Sequence, residues 1–498
     1  MSDLLPQRLL AVATQYPERC AIRQGSTEIS FGGLAAKIRA LDAALRARIE
    51  PGERVALIME NSVDYVASCY AVWLSGGVVV GLNTALKPDD LLWQIEHCAA
   101  SCVIADARRW QELDARLPER VRACSIVAGA VPSVVALDDL YRAPFVDVAP
   151  VVISADSPAQ IIYTSGTTGR PKGVLLSHGN LASNIVAIQD YLGIRADDVA
   201  MCVLPFFYSF GNSVLHSHLT VGSGLVLENS LMYPQTVVQQ MQAQQVTAFY
   251  GVPSTYYILL ARTQLDGANL RALRYCAQAG GAMDPVRIER FCAALPQLDF
   301  IVMYGQTEAS ARLSWLPPVD RQRKQGSVGL AIPGVQLSIR GEDGAELEAG
   351  STGEVCVRGA NVMLGYWQDA DATQQAIRGG WLCTGDLGYR DADGYLYLIG
   401  RSKEMIKSGA HRISPREIEE VIAAVPGVED VAVIGIDDEL LGQSIKACVI
   451  ASEDDALRRQ ILRQCREHLP LYKMPKAVDF YKEFPRTASG KIQKHLLT

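Results

Sequence analysis

The sequence predicts an α/β protein: a large N-terminal domain of parallel α/β layers with a β subdomain, hinged to a small α+β C-terminal domain. Three observations carry that expectation. Helical patterns alternate with short β-branched strands up to about residue 325. The texture then changes to short alternating strands joined by hairpin-type turns, and the last hundred or so residues read as helix, strand and helix. At 498 residues the chain is also too long for one ordinary core.

In chain order, the strand candidates of the first part are Leu57-Ile58-Met59, Val78-Val79-Val80, Cys102-Val103-Ile104, Ile161-Ile162-Tyr163 and Phe300-Ile301-Val302. The uncharged stretch from Tyr65 to Leu82 reads as a helix broken by Gly76-Gly77 and followed by a buried strand, not as a membrane span. A longer uncharged run, Val199 to Leu227, is interrupted by Pro205, Gly211 and two histidines, and reads as core. From Gly326 onward, Gly341-Glu342-Asp343-Gly344 and Asp391-Ala392-Asp393-Gly394 are turns of a β subdomain (about 326–400) that ends near Ile399. Beyond it, Pro415 to Ala424 reads as a helix with proline in its first turn, and Val431 to Ile436 as a strand. Leu457, Ile461, Leu462, Cys465 and Leu469 then share one helical face. The expected division is 1–400 and 401–498, with the charged segment Gly400-Arg401-Ser402-Lys403 as the hinge.

Composition narrows the function. Hydrophobic residues at 49% and charged residues at 20% are ordinary for a globular protein, and a net charge of −7 argues against a nucleic-acid partner. The twelve cysteines show no metal or redox spacing, and they read as free thiols of a cytoplasmic protein. The first twenty residues carry Asp3, Arg8, Glu18 and Arg19 with no apolar core between them, unlike a secretory signal.

The strongest local signal is Tyr163-Thr164-Ser165-Gly166-Thr167-Thr168-Gly169-Arg170-Pro171-Lys172-Gly173. Four hydroxyls, three glycines and two cations follow a strand within eleven residues. Glycines let backbone N–H groups approach an anion, hydroxyls donate to phosphate oxygens, and Lys172 adds charge. The string lacks the GxxxxGK[ST] pattern, and Gly490-Lys491 is followed by Ile492, so a P-loop kinase or ATPase is not expected.

This loop resembles the signature of the adenylate-forming superfamily, which includes acyl- and aryl-CoA synthetases, adenylation domains of peptide synthetases and luciferase. Further segments resemble that superfamily's motifs in the same order, from about residue 160 to the end. The resemblance implies ATP, Mg²⁺ and a thiol acceptor, with the phosphate loop (Thr164, Ser165, Gly166, Thr167, Thr168, Lys172) holding the triphosphate. In Met303-Tyr304-Gly305-Gln306-Thr307-Glu308 it implies adenine stacking by Tyr304, next to Gly305. It gives Thr307 contact with the α-phosphate region and Glu308 a hold on Mg²⁺. Ala279-Gly280-Gly281-Ala282 would line the adenine face with Gly281 and Ala282. In Trp381-Leu382-Cys383-Thr384-Gly385-Asp386, Asp386 would accept from both ribose hydroxyls. Arg401 would contact the nucleotide, Lys403 would be the pivot, and Lys407 would reach the intermediate in one closed state. Pro485-Arg486-Thr487-Ala488-Ser489-Gly490-Lys491 would supply the catalytic Lys491, which bridges the attacking carboxylate and the α-phosphate.

The acid and the thiol are less fully written in the sequence. Leu204-Pro205-Phe206-Phe207-Tyr208-Ser209-Phe210-Gly211 resembles the acyl-pocket wall, with Tyr208, where many members carry histidine, a catalytic candidate that would either gate the thiol tunnel as an aromatic plate or bond the acyl carboxylate through its hydroxyl. Ser209 stands where amino-acid-activating relatives place an aspartate, and no acidic residue occurs between Phe206 and Gly222. An α-amino acid would bury its ammonium unpaired. The lining Phe207, Phe210, Tyr250, Val252 and Met303 suits an aliphatic or aromatic acid. Ala410 replaces a glycine common in the loop that flanks the pantetheine arm. The expected function is therefore an ATP-dependent, AMP-forming acid–thiol ligase acting with CoA. The alternatives are a stand-alone enzyme that loads the phosphopantetheine of an acyl or peptidyl carrier protein, and an inactive nucleotide-binding regulator.

Overall fold

A computed structural model describes residues 4–497 except 133, 144–148, 165–169, 266, 268, 402–403, 409–410, 439–440 and 488–491. Ser165, Gly166, Thr167, Thr168, Lys403, Ala410 and Lys491 therefore lie outside the described residues.

Two large sheets form the N-terminal part. In the first, the strands Asp299–Tyr304, Tyr275–Gln278, Ala248–Gly251, Val199–Cys202, Gly224–Leu227 and Cys20–Gln24 run parallel in that order. Short antiparallel strands close both edges. In the second, Pro158–Thr164, Val78–Gly81, Arg54–Ile58, Ala100–Asp106 and Ile126–Ala128 are parallel, and Lys172–Ser177 pairs antiparallel with Pro158–Thr164. The strand expected at 57–59 thus begins three residues earlier and stops at Ile58.

The stretch that mimics a membrane span is the helix Val63–Leu74, started by the Ser62 hydroxyl accepting from the Tyr65 N–H at 3.1 Å. It stops where Gly76 takes φ +76°, a conformation that favours glycine, and the strand Val78–Gly81 follows. Among the described residues no helix is long and apolar enough to cross a membrane. The uncharged run from Val199 folds as strand, the helix Ser209–Leu219 and strand, all packed inside.

A third, antiparallel sheet holds Val335–Arg340, Gly353–Gly359, Trp381–Arg390 and Leu396–Arg401. The two expected turns lie at its strand ends, but the last strand continues past Ile399 to Arg401. The C-terminal part has its own sheet, with Gly442–Ile450 at its centre, and its own apolar core of Ile418, Ile422, Val433, Ile461 and Cys465. The helix Pro415–Ala423 starts with its proline as expected.

All twelve cysteines are free. The sequence spacing hid one cluster, because cross-strand pairing sets the Cys356 and Cys383 sulfurs 3.4 Å apart beside Glu354. Arg378 ties up that group, donating to the Cys383 sulfur at 3.1 Å and to the Glu354 carboxylate.

Three histidines are buried in the core: His178, His216 and His218. Burial depresses their pKa values to about 4, about 3 and about 3, against 6.5 for an ordinary histidine. Between pH 6.5 and about 3 the unfolded chain therefore binds more protons than the folded one, and stability falls as the pH falls. Thermal midpoints measured from pH 7 down to pH 4.5 should drop steadily. Replacing His216 with glutamine should flatten part of that slope, and an unchanged slope would rule the histidine out as a cause.

Candidate active site

The site residues collect where strands end. Tyr304, Gln278 and Gly251 finish adjacent parallel strands of the first sheet, the usual place for a ligand in such sheets. Directly after Gln278 the chain turns through Gly280 at φ +86°. It leaves Gly281 and Ala282 exposed, and the Gly281 carbonyl accepts from the Gln278 amide at 2.7 Å.

After Tyr304 the chain folds back on itself. A side chain at Gly305 would put its first carbon 1.9 Å from the Ala311 carbonyl oxygen, so only glycine fits. The turn is fastened from outside by Asn361, whose carbonyl accepts from the Ser310 hydroxyl at 2.8 Å and whose amide donates to the Ala309 carbonyl at 3.1 Å. This fold-back presents Thr307 and Glu308 on a short 3₁₀ turn.

Two clusters result. In the first, Asp386 is buried and accepts from the Tyr304 hydroxyl at 2.6 Å and from Arg401 Nε at 3.1 Å. A carboxylate offers about four lone-pair sites, so capacity remains for a diol. Burial together with the Asp386 charge keeps Tyr304 protonated by pushing its pKa well above the ordinary value. Burial opposes the Arg401 charge, but Asp386, Glu404, Tyr304 and Glu308 together hold its pKa above the usual value.

In the second cluster, Glu308 accepts from the Tyr366 hydroxyl at 2.9 Å. The Tyr366 ring lies 4.8 Å from the Lys172 ammonium, which is also 3.8 Å from Asp369. Strand pairing explains the meeting: Tyr366 is registered on Val174, two residues beyond Lys172. Thr164 is registered opposite Lys172, so the hairpin brings these two residues together. Thr307 is 3.1 Å from the Ser209 hydroxyl, which joins the turn to the first residue of the helix Ser209–Leu219.

The acyl-wall residues sit around that helix start. Tyr208 precedes it, its ring packed 4.6 Å from Phe207, and burial pushes its phenol up to about 12 despite a hydrogen bond with Asn83. It stays neutral at any working pH. Gly211 is required as well, since a side chain there would meet the Pro205 carbonyl at 2.3 Å. Tyr250 meets Phe210 edge-on, and its hydroxyl is held by His218 at 2.8 Å and Tyr275 at 2.7 Å. Val252 packs under the Gly280 turn. The Met303 sulfur accepts from Tyr191 at 3.1 Å and from Arg312 at 3.4 Å. Arg312 thus adds a cation to a lining that the sequence presented as apolar.

Lys407 lies on the strand Ile406–Ser408 of the C-terminal sheet, exposed, with its N–H donating to the Gln443 side chain at 2.8 Å, and makes none of the contacts above. Tyr366, Asn361 and Arg312 were missed in the sequence because no local spacing links them to their partners.

Comparisons with known proteins identify the family. Residues 9–367 match the AMP-binding enzyme family, and residues 417–491 match the AMP-binding enzyme C-terminal domain. The indoleacetate–CoA ligase of Aromatoleum aromaticum is 34% identical over 96% of this chain and 94% of its own length. The crystal structure of the anthranilate CoA ligase AuaEII in complex with anthranoyl-AMP superposes with a TM-score of 0.92 at 27% identity, covering 99% of this chain and 96% of that one. The o-succinylbenzoate CoA synthetase of Bacillus subtilis, in complex with ATP and magnesium ion, gives a TM-score of 0.85 at 28% identity, covering 98% of both chains.

Proposed function

The chain belongs to the AMP-binding enzyme family and is an AMP-forming acid–thiol ligase of it; we propose that it joins a carboxylic acid other than an amino acid to CoA, using Mg²⁺-ATP. The observation that carries the assignment of roles is the pair of clusters: Asp386 between Tyr304 and Arg401, and Glu308 tied through Tyr366 to Lys172. The first suits a ribose and the second a triphosphate with its cation.

Asp386 accepts from the ribose hydroxyls, and Tyr304 presents its ring to adenine beside Gly281 and Ala282. Lys172, Thr164 and the hydroxyls of 165–168 hold the β- and γ-phosphates. Glu308 fits Mg²⁺: it is a hard oxygen donor to which only Tyr366 donates among the described residues, which leaves lone pairs for a cation. The bound ion neutralises triphosphate charge. The acid's carboxylate oxygen attacks the α-phosphorus and pyrophosphate leaves. Lys491 and Thr307 stabilise the charge that grows at that phosphorus, which binds the transition state more strongly than the ground state. In the second step the CoA sulfur attacks the acyl carbonyl, AMP leaves, and Tyr208 closes the thiol's approach as a neutral aromatic wall.

We divide the chain at about residue 400, into 1–400 and 401–498, with the pivot at Lys403. Hydrogen bonds cross that line from Arg416 to the Leu398 carbonyl at 2.8 Å and from Ser414 to the Ile399 carbonyl at 2.6 Å, while the two parts keep separate apolar cores, which supports a movable small domain. Cytoplasmic placement accords with twelve unpaired thiols.

Aryl acids are the first substrates to try, since similar proteins include an indoleacetate–CoA ligase, an anthranilate CoA ligase and a feruloyl-CoA synthase. ATP–pyrophosphate exchange across aryl, aliphatic and amino acids should respond to acids without an ammonium group. Free CoA should then release AMP at least tenfold faster than a phosphopantetheinylated carrier protein at equal concentration (roughly 1.4 kcal/mol). Exchange without any thioester on CoA would assign the acceptor to the carrier instead.

A further inference from the structure

One lysine and one arginine are buried among the described residues, Lys324 and Arg312. Lys324 has two carboxylate partners, Asp391 at 2.7 Å and Asp393 at 2.5 Å. Arg312, only 2% exposed, forms an ion pair with no carboxylate among the described residues.

Its position is built, not incidental. The Asn184 side chain accepts from the Arg312 N–H at 3.2 Å and donates to its carbonyl at 2.9 Å, and Asn361 donates to the same carbonyl at 3.2 Å. With the backbone held, the guanidinium lies 4.0 Å over the Phe210 ring. Its hydrogen bonds go to the Met303 sulfur and the Ala311 carbonyl, both at 3.4 Å. These long bonds and the ring offset only part of the loss of water around the charge. Burial accordingly draws the Arg312 pKa down, with only the phenols of Tyr191 and Tyr250 acting against it.

Phe210, Tyr250 and Met303 are the residues assigned above to the acyl pocket. A guanidinium among them presents a planar fork suited to two carboxylate oxygens. The turn that carries Thr307 and Glu308 to the reacting end also carries Arg312, so one rigid fold-back spaces the two.

We propose that Arg312 binds a second carboxylate at the far end of the acid, so that the substrate is a dicarboxylic acid activated at one end only. The proposal rests on the ligase reading above. It extends the choice of acid from apolar aryl or aliphatic groups to those that end in an anion.

The test uses the full-length enzyme and ATP–pyrophosphate exchange. A series of aliphatic and aryl dicarboxylic acids is compared, each against its own monomethyl ester. The wild type should favour the best diacid over its ester by about 100-fold in kcat/KM. Arg312→Met should abolish that ratio, mainly through the KM of the diacid, and Arg312→Lys should restore part of it. Esters as good as their diacids, or a folded Arg312→Met enzyme with the ratio unchanged, would overturn the proposal. Exchange with monoacids alone sinks it while leaving the ligase reading intact, and exchange with no acid at all removes both. Should Arg312→Met fail to fold, the wild-type diacid-to-ester ratio decides by itself.

Discussion

Lys491→Ala is expected to lower acid-dependent ATP–pyrophosphate exchange by about 10³-fold, while a preformed acyl-adenylate still passes its acyl group to the thiol at close to the wild-type rate. The asymmetry follows from where negative charge concentrates. Adenylation brings a carboxylate onto an already anionic phosphate, so a bridging ammonium acts most strongly in that transition state. Thioester formation starts from the mixed anhydride, where the carboxylate charge has already been spent in the bond. Lys491 lies between two anchored flanks: Arg486 bridges to Ile492 and pairs with Asp430, and the Gln493 N–H donates to the Pro485 carbonyl at 2.8 Å. The flanking residues are thus held by contacts of their own, and the thermal midpoint should hold. Both half-reactions falling equally would show that Lys491 is not specific to the first.

Asp386→Ala is expected to raise the KM for ATP by about 100-fold, about 3 kcal/mol. Two effects add here. The ribose loses its acceptor, and the Tyr304 hydroxyl and Arg401 lose the carboxylate that positions them at 2.6 Å and 3.1 Å. Asp386→Asn separates these effects: it keeps the shape and one acceptor oxygen but lacks the charge that faces Arg401. It should fall between alanine and wild type. An unchanged KM for ATP in both variants would remove the ribose role, and a shifted KM for the acid alone would move Asp386 to the other end of the site.

The acid-lability and substrate-panel predictions probe different features, the buried histidines and the acyl pocket. A failure in one does not disturb the others.

Much of the fold was legible because its signals are local. Alternation of β-branched runs with helical periods placed Val78–Gly81, Ala100–Asp106, Pro158–Thr164 and Asp299–Tyr304 within a few residues. Gly76 and Pro415 punctuated the chain where the backbone demanded it. The motifs were legible for the same reason: a phosphate loop, a YGxTE turn and a TGD strand carry their chemistry in consecutive residues. Boundaries were less certain, as at Ile58 and Arg401, because strand ends are set by the neighbouring strand and not by composition.

What the sequence determined by itself was thus the layer architecture, the order of the motifs and the kind of chemistry they support. Only the tertiary structure decided who partners whom. Tyr304 meets Asp386 across 82 positions, Tyr366 meets Glu308 across 58, and Asn184 fixes Arg312 across 128. The cross-strand meeting of Cys356 with Cys383 is of the same kind. Such pairs depend on sheet register and on the path of a turn, which are settled when distant segments pack together. No local pattern of residues carries that information, so a buried arginine paired with no carboxylate among the described residues, and the substrate it points to, became visible only in the folded chain.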